Sequence, residues 1–140
     1  MKRKIKSLKF FIKHQDRELK EFTLELMNIK RSIEDLLDRK ASIQKEIQRV
    51  QNQSLQDIAS ISHAFNYIQS QKNSIIQIET NIAQLQKRLD AMEEKVKERY
   101  AQKKGLEKLL QKNRDVLQTK ERMKERQIAD ESFVRKYLAR

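Results

Sequence analysis

Apolar residues recur along this chain at alternating spacings of three and four, in two long runs separated by a polar stretch. The first run takes Ile5, Leu8, Ile12, Gln15, Leu19, Phe22, Leu26, Ile29, Ile33, Leu36, Lys40, Ile43, Ile47, Val50 and Ser54, and twelve of those fifteen positions are apolar. The second takes Ile61, Ala64, Ile68, Gln71, Ile75, Ile78, Ile82, Leu85, Leu89, Met92, Val96, Arg99, Lys103, Leu106, Leu110, Asn113 and Leu117, with thirteen of seventeen apolar. Seven residues make nearly two helical turns, so this alternation lays one narrow apolar stripe along each helix, the seam of a coiled coil. Between the runs, Gln51 to Ser62 is polar, and the side-chain oxygens of Ser54, Asp57, Ser60 and Ser62 can cap helix ends. The pattern predicts a first arm over about 4–53, a turn over about 54–60, a second arm over about 61–128 starting near Ser60, and a tail over 129–140.

Folding back at the turn aligns the two runs layer by layer. Val50 then faces Ala64, Ile47 faces Ile68, Leu36 faces Ile78, Ile33 faces Ile82, Leu26 faces Leu89 and Phe22 faces Met92. Toward the open end, Leu8 faces Leu106 and Ile5 faces Leu110. Polar layers are few: Lys40 opposes Ile75, Ile43 opposes Gln71, Gln15 opposes Arg99, and Ile12 opposes Lys103. The last two are consecutive and form a weak stretch, where Phe11 and Tyr100 are expected to take over the seam through a local shift of phase. The predicted fold is therefore all-α: an antiparallel two-helix coiled-coil hairpin, one rod-like domain over 1–140 with a longer second helix. In this register everything after about residue 111 has no partner from the first arm.

Composition supports long helices. There is no Pro and a single glycine, Gly105, so almost nothing punctuates the chain. Charged residues make up 37% of it and aromatics 6%, far from the mix of a compact domain. A hairpin that buries one stripe per helix has a thin core, and a partner that binds it would add stability by mass action. There is no Cys, which excludes disulfides and thiol chemistry, and no apolar stretch is long enough to span a membrane. The basic start is too short in apolar residues, and too charged within them, for a secretory signal.

Charge changes the picture because it is segregated along the chain. Residues 1–13 carry six Lys or Arg and no acid, while 95–126 carry twelve basic and five acidic residues. Antiparallel folding brings these two segments to one end. The turn end is nearly uncharged, with only Asp57, Lys72 and Glu79 in 51–86. One end thus suits an anionic surface and the other a contact made without charge steering. Lys2, Arg3, Lys4, Lys6, Arg114, Arg122 and Arg126 are the candidate contacts at the basic end, and Phe65 and Tyr67 those at the turn end, where ordinary packing is an equal reading.

No constellation in the sequence suits catalysis. His14 and His63 lie far apart in the register with no Cys, and there is no Gly-rich loop and no nucleophile paired with a base. The reading is a non-enzymatic protein with no cofactor, no metal and no small-molecule ligand. Nucleic acid is disfavoured as a partner, because no aromatics interleave with the basic residues as a stacking platform needs. Asp16–Lys20, Asp35–Arg39 and Glu93–Lys97 have the i,i+4 spacing that supports an exposed helix. Ile5, Leu8, Phe11 and Ile12 share a face that could meet an anionic membrane, or could simply be seam.

Several segments resemble the FliJ family, stalk proteins of the flagellar export ATPase with counterparts in virulence-type secretion. The likeness rests on Tyr100 followed by Gln102, Lys103 and Lys104, on Asn113-Arg114-Asp115, and on Ala129-Asp130-Glu131-Ser132-Phe133-Val134-Arg135. Ile58-Ala59-Ser60 at the turn also fits, and the whole length is compatible. The chain lacks the tryptophan that some family members carry, and Tyr100 is the candidate for its place. The resemblance implies an antiparallel coiled coil whose terminal end enters the pore of a hexameric export ATPase. It also implies contacts with the export gate membrane protein and with export chaperones, at the cytoplasmic face of the inner membrane. Two other readings compete with this one: a basic helical arm that binds nucleic acid, and a structural coiled coil that pairs through the overhang of its second arm.

Overall fold

A computed structural model describes residues 2–138 of the chain. They form two helices, α1 over Lys2–Gln51 and α2 over Ile58–Leu138, packed on each other as a two-helix hairpin, with no strand among the described residues. The seam is the one written in the heptads. Every position of the two runs is buried or half-buried except Ser54 and Ile61, which lie at the turn. Most positions outside the runs are exposed, which is what one stripe per helix gives.

Contacts divide the chain into two compact units, one over Glu21–Val96 and the other made of the residues up to Lys20 together with those from Lys97 onward. In the first unit, Ile29, Ile47, Val50, Ile78, Leu89 and Met92 form the buried core. Leu8 and Leu110 are the buried residues of the second. No described side chain is sealed completely from solvent. Burial of each core aliphatic contributes about 1.5–3 kcal/mol, so stability depends on the length of the seam rather than on a central cluster.

Within the first unit, α1 ends where its last amides tighten: the Asn52 N–H donates to the Gln48 carbonyl (3.1 Å) and the Gln53 N–H to the Val50 carbonyl (3.2 Å). The second helix is started by Asp57, whose Oδ1 accepts the Ser60 N–H at 2.6 Å while its carbonyl accepts the Ile61 N–H at 3.1 Å. This is an N-cap, and it sets the start at Ile58, ahead of the expected start near Ser60. Ile61 is consequently not a seam residue. It is 51% exposed, because α1 has already ended and offers nothing opposite.

At the far end α2 runs unbroken to Leu138, through the segment read as a tail from 129. The helix has no stop signal after Gly105: the chain contains no Pro and no second Gly. Gly105 itself lies inside the helix without a positive φ.

The polar layers do not shift the seam. Phe11 and Tyr100 stay about half exposed, whereas Gln15, Arg99 and Lys103 keep their half-buried places. Each long cation solves its layer by reaching about one turn past the residue it opposes. Lys40, opposite Ile75, reaches Glu79 at 3.1 Å. Arg99, opposite Gln15, reaches Glu18 at 2.8 Å, and Lys103, opposite Ile12, reaches Asp16 at 2.6 Å. Arg and Lys stems can fill apolar space while their heads stay wet, so no change of phase is needed.

Candidate functional site

In the unit that holds both chain ends, Lys2, Arg3, Lys4 and Lys6 are all exposed along the first turns of α1. Arg114, Arg122 and Arg126 are exposed on α2 of the same unit. The two groups therefore share a unit. No acid lies among residues 1–13, so the positive charge of α1's first turns is uncompensated within its own helix. Further along α1, Glu18 Oε1 approaches His14 Nε2 at 3.1 Å while its Oε2 holds Arg99, and Asp16 holds Lys103. These acids thus pair with the seam cations Arg99 and Lys103. Exposed charges of one sign on a convex helical surface make a steering field that salt weakens.

The overhang is visible as exposure. Every residue from Gln118 to Leu138 is exposed, and the stretch ends in Phe133 and Tyr137, whose rings stack at 6.2 Å. Lys104 lies over the Tyr100 ring, 5.0 Å from its centroid, so the exposed tyrosine is partly covered by a cation of its own helix.

The two turn-end residues part company. Phe65 is 67% exposed, whereas Tyr67 lines a hollow of about 540 Å³ beside Glu46, Arg49, Val50, His63 and Ala64. Arg49 grips Glu46 at 2.5 and 3.0 Å and, with a contribution from a Tyr67 hydrogen bond, holds that carboxyl below the usual carboxylate range. Tyr67 is also exposed, at 40%, so both residues are accessible at the hairpin tip and Phe65 is the more outward of the two. Ile58, Ile61 and Ile76 share Phe65's outward face of α2 and are exposed with it. Sequence reasoning missed these isoleucines, since Ile61 fitted the heptad, and an isoleucine off the seam carries no local signal of its own.

Among the described residues no three His, Cys, Asp or Glu side chains cluster as a metal site would, and no helix is long and apolar enough to cross a membrane. The arrangement offers charged and apolar surface for other macromolecules.

Comparison with known proteins supplies one match. The family model described as "FliJ: Flagellar FliJ protein" matches residues 6–140, nearly the whole chain. No curated protein and no solved structure matches it.

Proposed function

We propose, on the premise that this chain belongs to the FliJ family of flagellar proteins, that it is a non-enzymatic stalk and coupling component of the flagellar protein export apparatus. Membership carries a flagellar, export-related role, and the match over residues 6–140 is the observation on which the reading rests. In this reading the chain binds a hexameric export ATPase through the exposed cations at its chain ends, and engages the export gate membrane protein and export chaperones elsewhere. It works at the cytoplasmic face of the inner membrane as a peripheral component.

Support for the ATPase contact comes from the chemistry of the unit that holds the chain ends. A helix that enters a ring pore must present charge that the ring can complement in every orientation, and cations on several faces of α1 and α2 do so without a fixed register. The bare end of α2 supplies length with no second helix to widen it. The test is ATPase stimulation and co-sedimentation with the purified hexameric export ATPase. Replacing Lys2, Arg3, Lys4 and Lys6 together by Gln should weaken association and stimulation, and raised salt should weaken the wild type in parallel. Unchanged stimulation by that variant at low salt would remove the ATPase contact from these residues. No association at all with the ATPase would sink the stalk reading.

A further inference from the structure

Gly105 is the only glycine in the chain, and it lies in the interior of α2. Glycine is among the poorest helix formers, and nothing in the fold requires it here. Its φ is not positive, and a Cβ built at 105 would meet no atom within 4 Å. The fold itself therefore gives no reason for a missing side chain here.

Beside the pairing seam, Gln102, Leu109, Val116 and Met123 stand seven residues apart on one face of α2, with Gly105 between the first two. Leu109, Val116 and Met123 are exposed, Met123 at 67%. Leu109 to Met123 is thus a second apolar heptad row, about 21 Å long at 1.5 Å per residue, with the polar Gln102 one heptad above it. Its upper end opens into a hollow of about 410 Å³ bounded by Phe11, Gln15, Gln102, Gly105, Leu106 and Leu109. Gln15 also lines that hollow. The charged residues on the row itself are Lys112 and Lys120, with Lys108 and Lys124 beside it.

We propose that this row is a docking seam for one α-helix of another protein, an amphipathic helix with apolar residues at heptad spacing and acidic flanks, crossing closest at Gly105. Heptad spacing selects a helix as the occupant, because a helix reads anchors at i, i+3, i+4 and i+7. A missing side chain at the crossing lets two helix backbones approach, which a fluid lipid surface would not need. The flanking lysines select acidic residues on the partner and disfavour a second copy of this chain, whose net charge is +12.

The experiment uses the full chain and a labelled synthetic helix of about four heptads. That helix carries Leu at every seventh position, Ala where it crosses Gly105 and Glu on both flanks, and a control helix carries Lys in place of Glu. Fluorescence anisotropy should show binding of the acidic helix and none of the control. Gly105→Leu and Leu109→Ser, both at open positions, should each weaken binding by about tenfold or more with helicity unchanged by circular dichroism. Gly105→Ala should raise the Tm of the free chain yet weaken binding. Equal binding by Gly105→Leu and the wild type would overturn the proposal. So would a self-dimer, or attachment to phosphatidylglycerol vesicles, that Leu109→Ser abolishes, because the row would then belong to a second copy or to lipid. If the acidic helix binds while the Lys2, Arg3, Lys4 and Lys6 variant still stimulates the export ATPase fully, the docking row stands and the ATPase contact falls.

Discussion

Lys103 Nζ lies 2.6 Å from Asp16 Oδ1 on the facing helix, at a position where the heptad pattern calls for an apolar residue. Its hydrogen bond to Asp16 holds the ammonium above the usual lysine pKa of 10.5, against the smaller opposing effect of burial. A raised folded pKa means that the pair stabilises the fold fully below the unfolded value and loses that contribution as pH rises through the raised one. Urea unfolding should therefore show a fall in stability above pH about 10.5 that is smaller in Asp16→Asn than in the wild type. Equal alkaline falls in the two proteins would show that the pair contributes nothing.

The same residue predicts a gain. A charged seam position fixes register at a cost in stability, and an apolar residue there packs instead of snorkelling. Lys103→Leu would face Ile12 directly, so its Tm should rise although an ion pair is lost. A lower Tm would mean that the Lys103–Asp16 contact outweighs the apolar packing it displaces.

Two isoleucines two residues apart on α2 separate seam from surface. Ile78 is 5% exposed in the core and Ile76 is 60% exposed on the outer face. Ile78→Ala should cost about 2–4 kcal/mol in chemical unfolding. Ile76→Ala should stay within about 0.5 kcal/mol of the wild type. A large cost at Ile76 would mean that its face is covered in the free chain.

Much of the fold was legible because a coiled coil writes its tertiary contacts into a local repeat. Leu26, Ile29, Leu89 and Met92 were assigned to the seam by spacing alone, and all four are buried or half-buried. Three features were not legible, each for a physical reason. Asp57 wins the cap over Ser60 through backbone geometry, and four candidate oxygens in a row do not reveal it. Phe11 and Tyr100 stay outside because Arg99 and Lys103 can reach acids about one turn along, a side-chain length effect invisible to an apolar count. The outward set of Ile58, Ile61, Phe65 and Ile76 is defined by what α1 fails to cover, which depends on where α1 stops.

Asp57 offers a test of how α2 begins. The Ser60 hydrogen bonds hold its carboxyl below the usual 3.8. A depressed folded pKa gives stability that is complete above the unfolded value and is lost as pH falls through the depressed one. Asp57→Ala should lower the Tm at neutral pH and speed amide exchange in the first turn of α2, with little effect beyond it. Below pH 3.8 the difference in Tm from the wild type should shrink. Asp57→Ser should restore much of the loss, since serine also caps. An acid-insensitive difference would assign the effect to something other than the cap.

The last prediction concerns which surface meets which partner. Arg114, Arg122 and Arg126 belong to the unit that carries the chain ends, whereas Phe65 belongs to the unit over Glu21–Val96. If the cations meet the hexameric ATPase, replacing the three arginines by Gln should reduce ATPase stimulation, and the wild type should lose stimulation with salt as the screening length shortens toward about 8 Å. Phe65→Ser should leave stimulation and its salt dependence intact, because the surface around Phe65 is almost uncharged. If the export gate protein is the partner that meets the turn end, the same Phe65 variant should lose binding to it, a contact that salt should hardly affect, since apolar burial is not screened. Tyr67→Phe serves as the structural control: it changes a side chain that lines the hollow beside Glu46 and Arg49 and should alter stability at the tip more than either binding reaction. If Phe65→Ser abolishes ATPase stimulation while the triple arginine variant retains it, the ATPase meets the turn end and the assignment of surfaces is reversed.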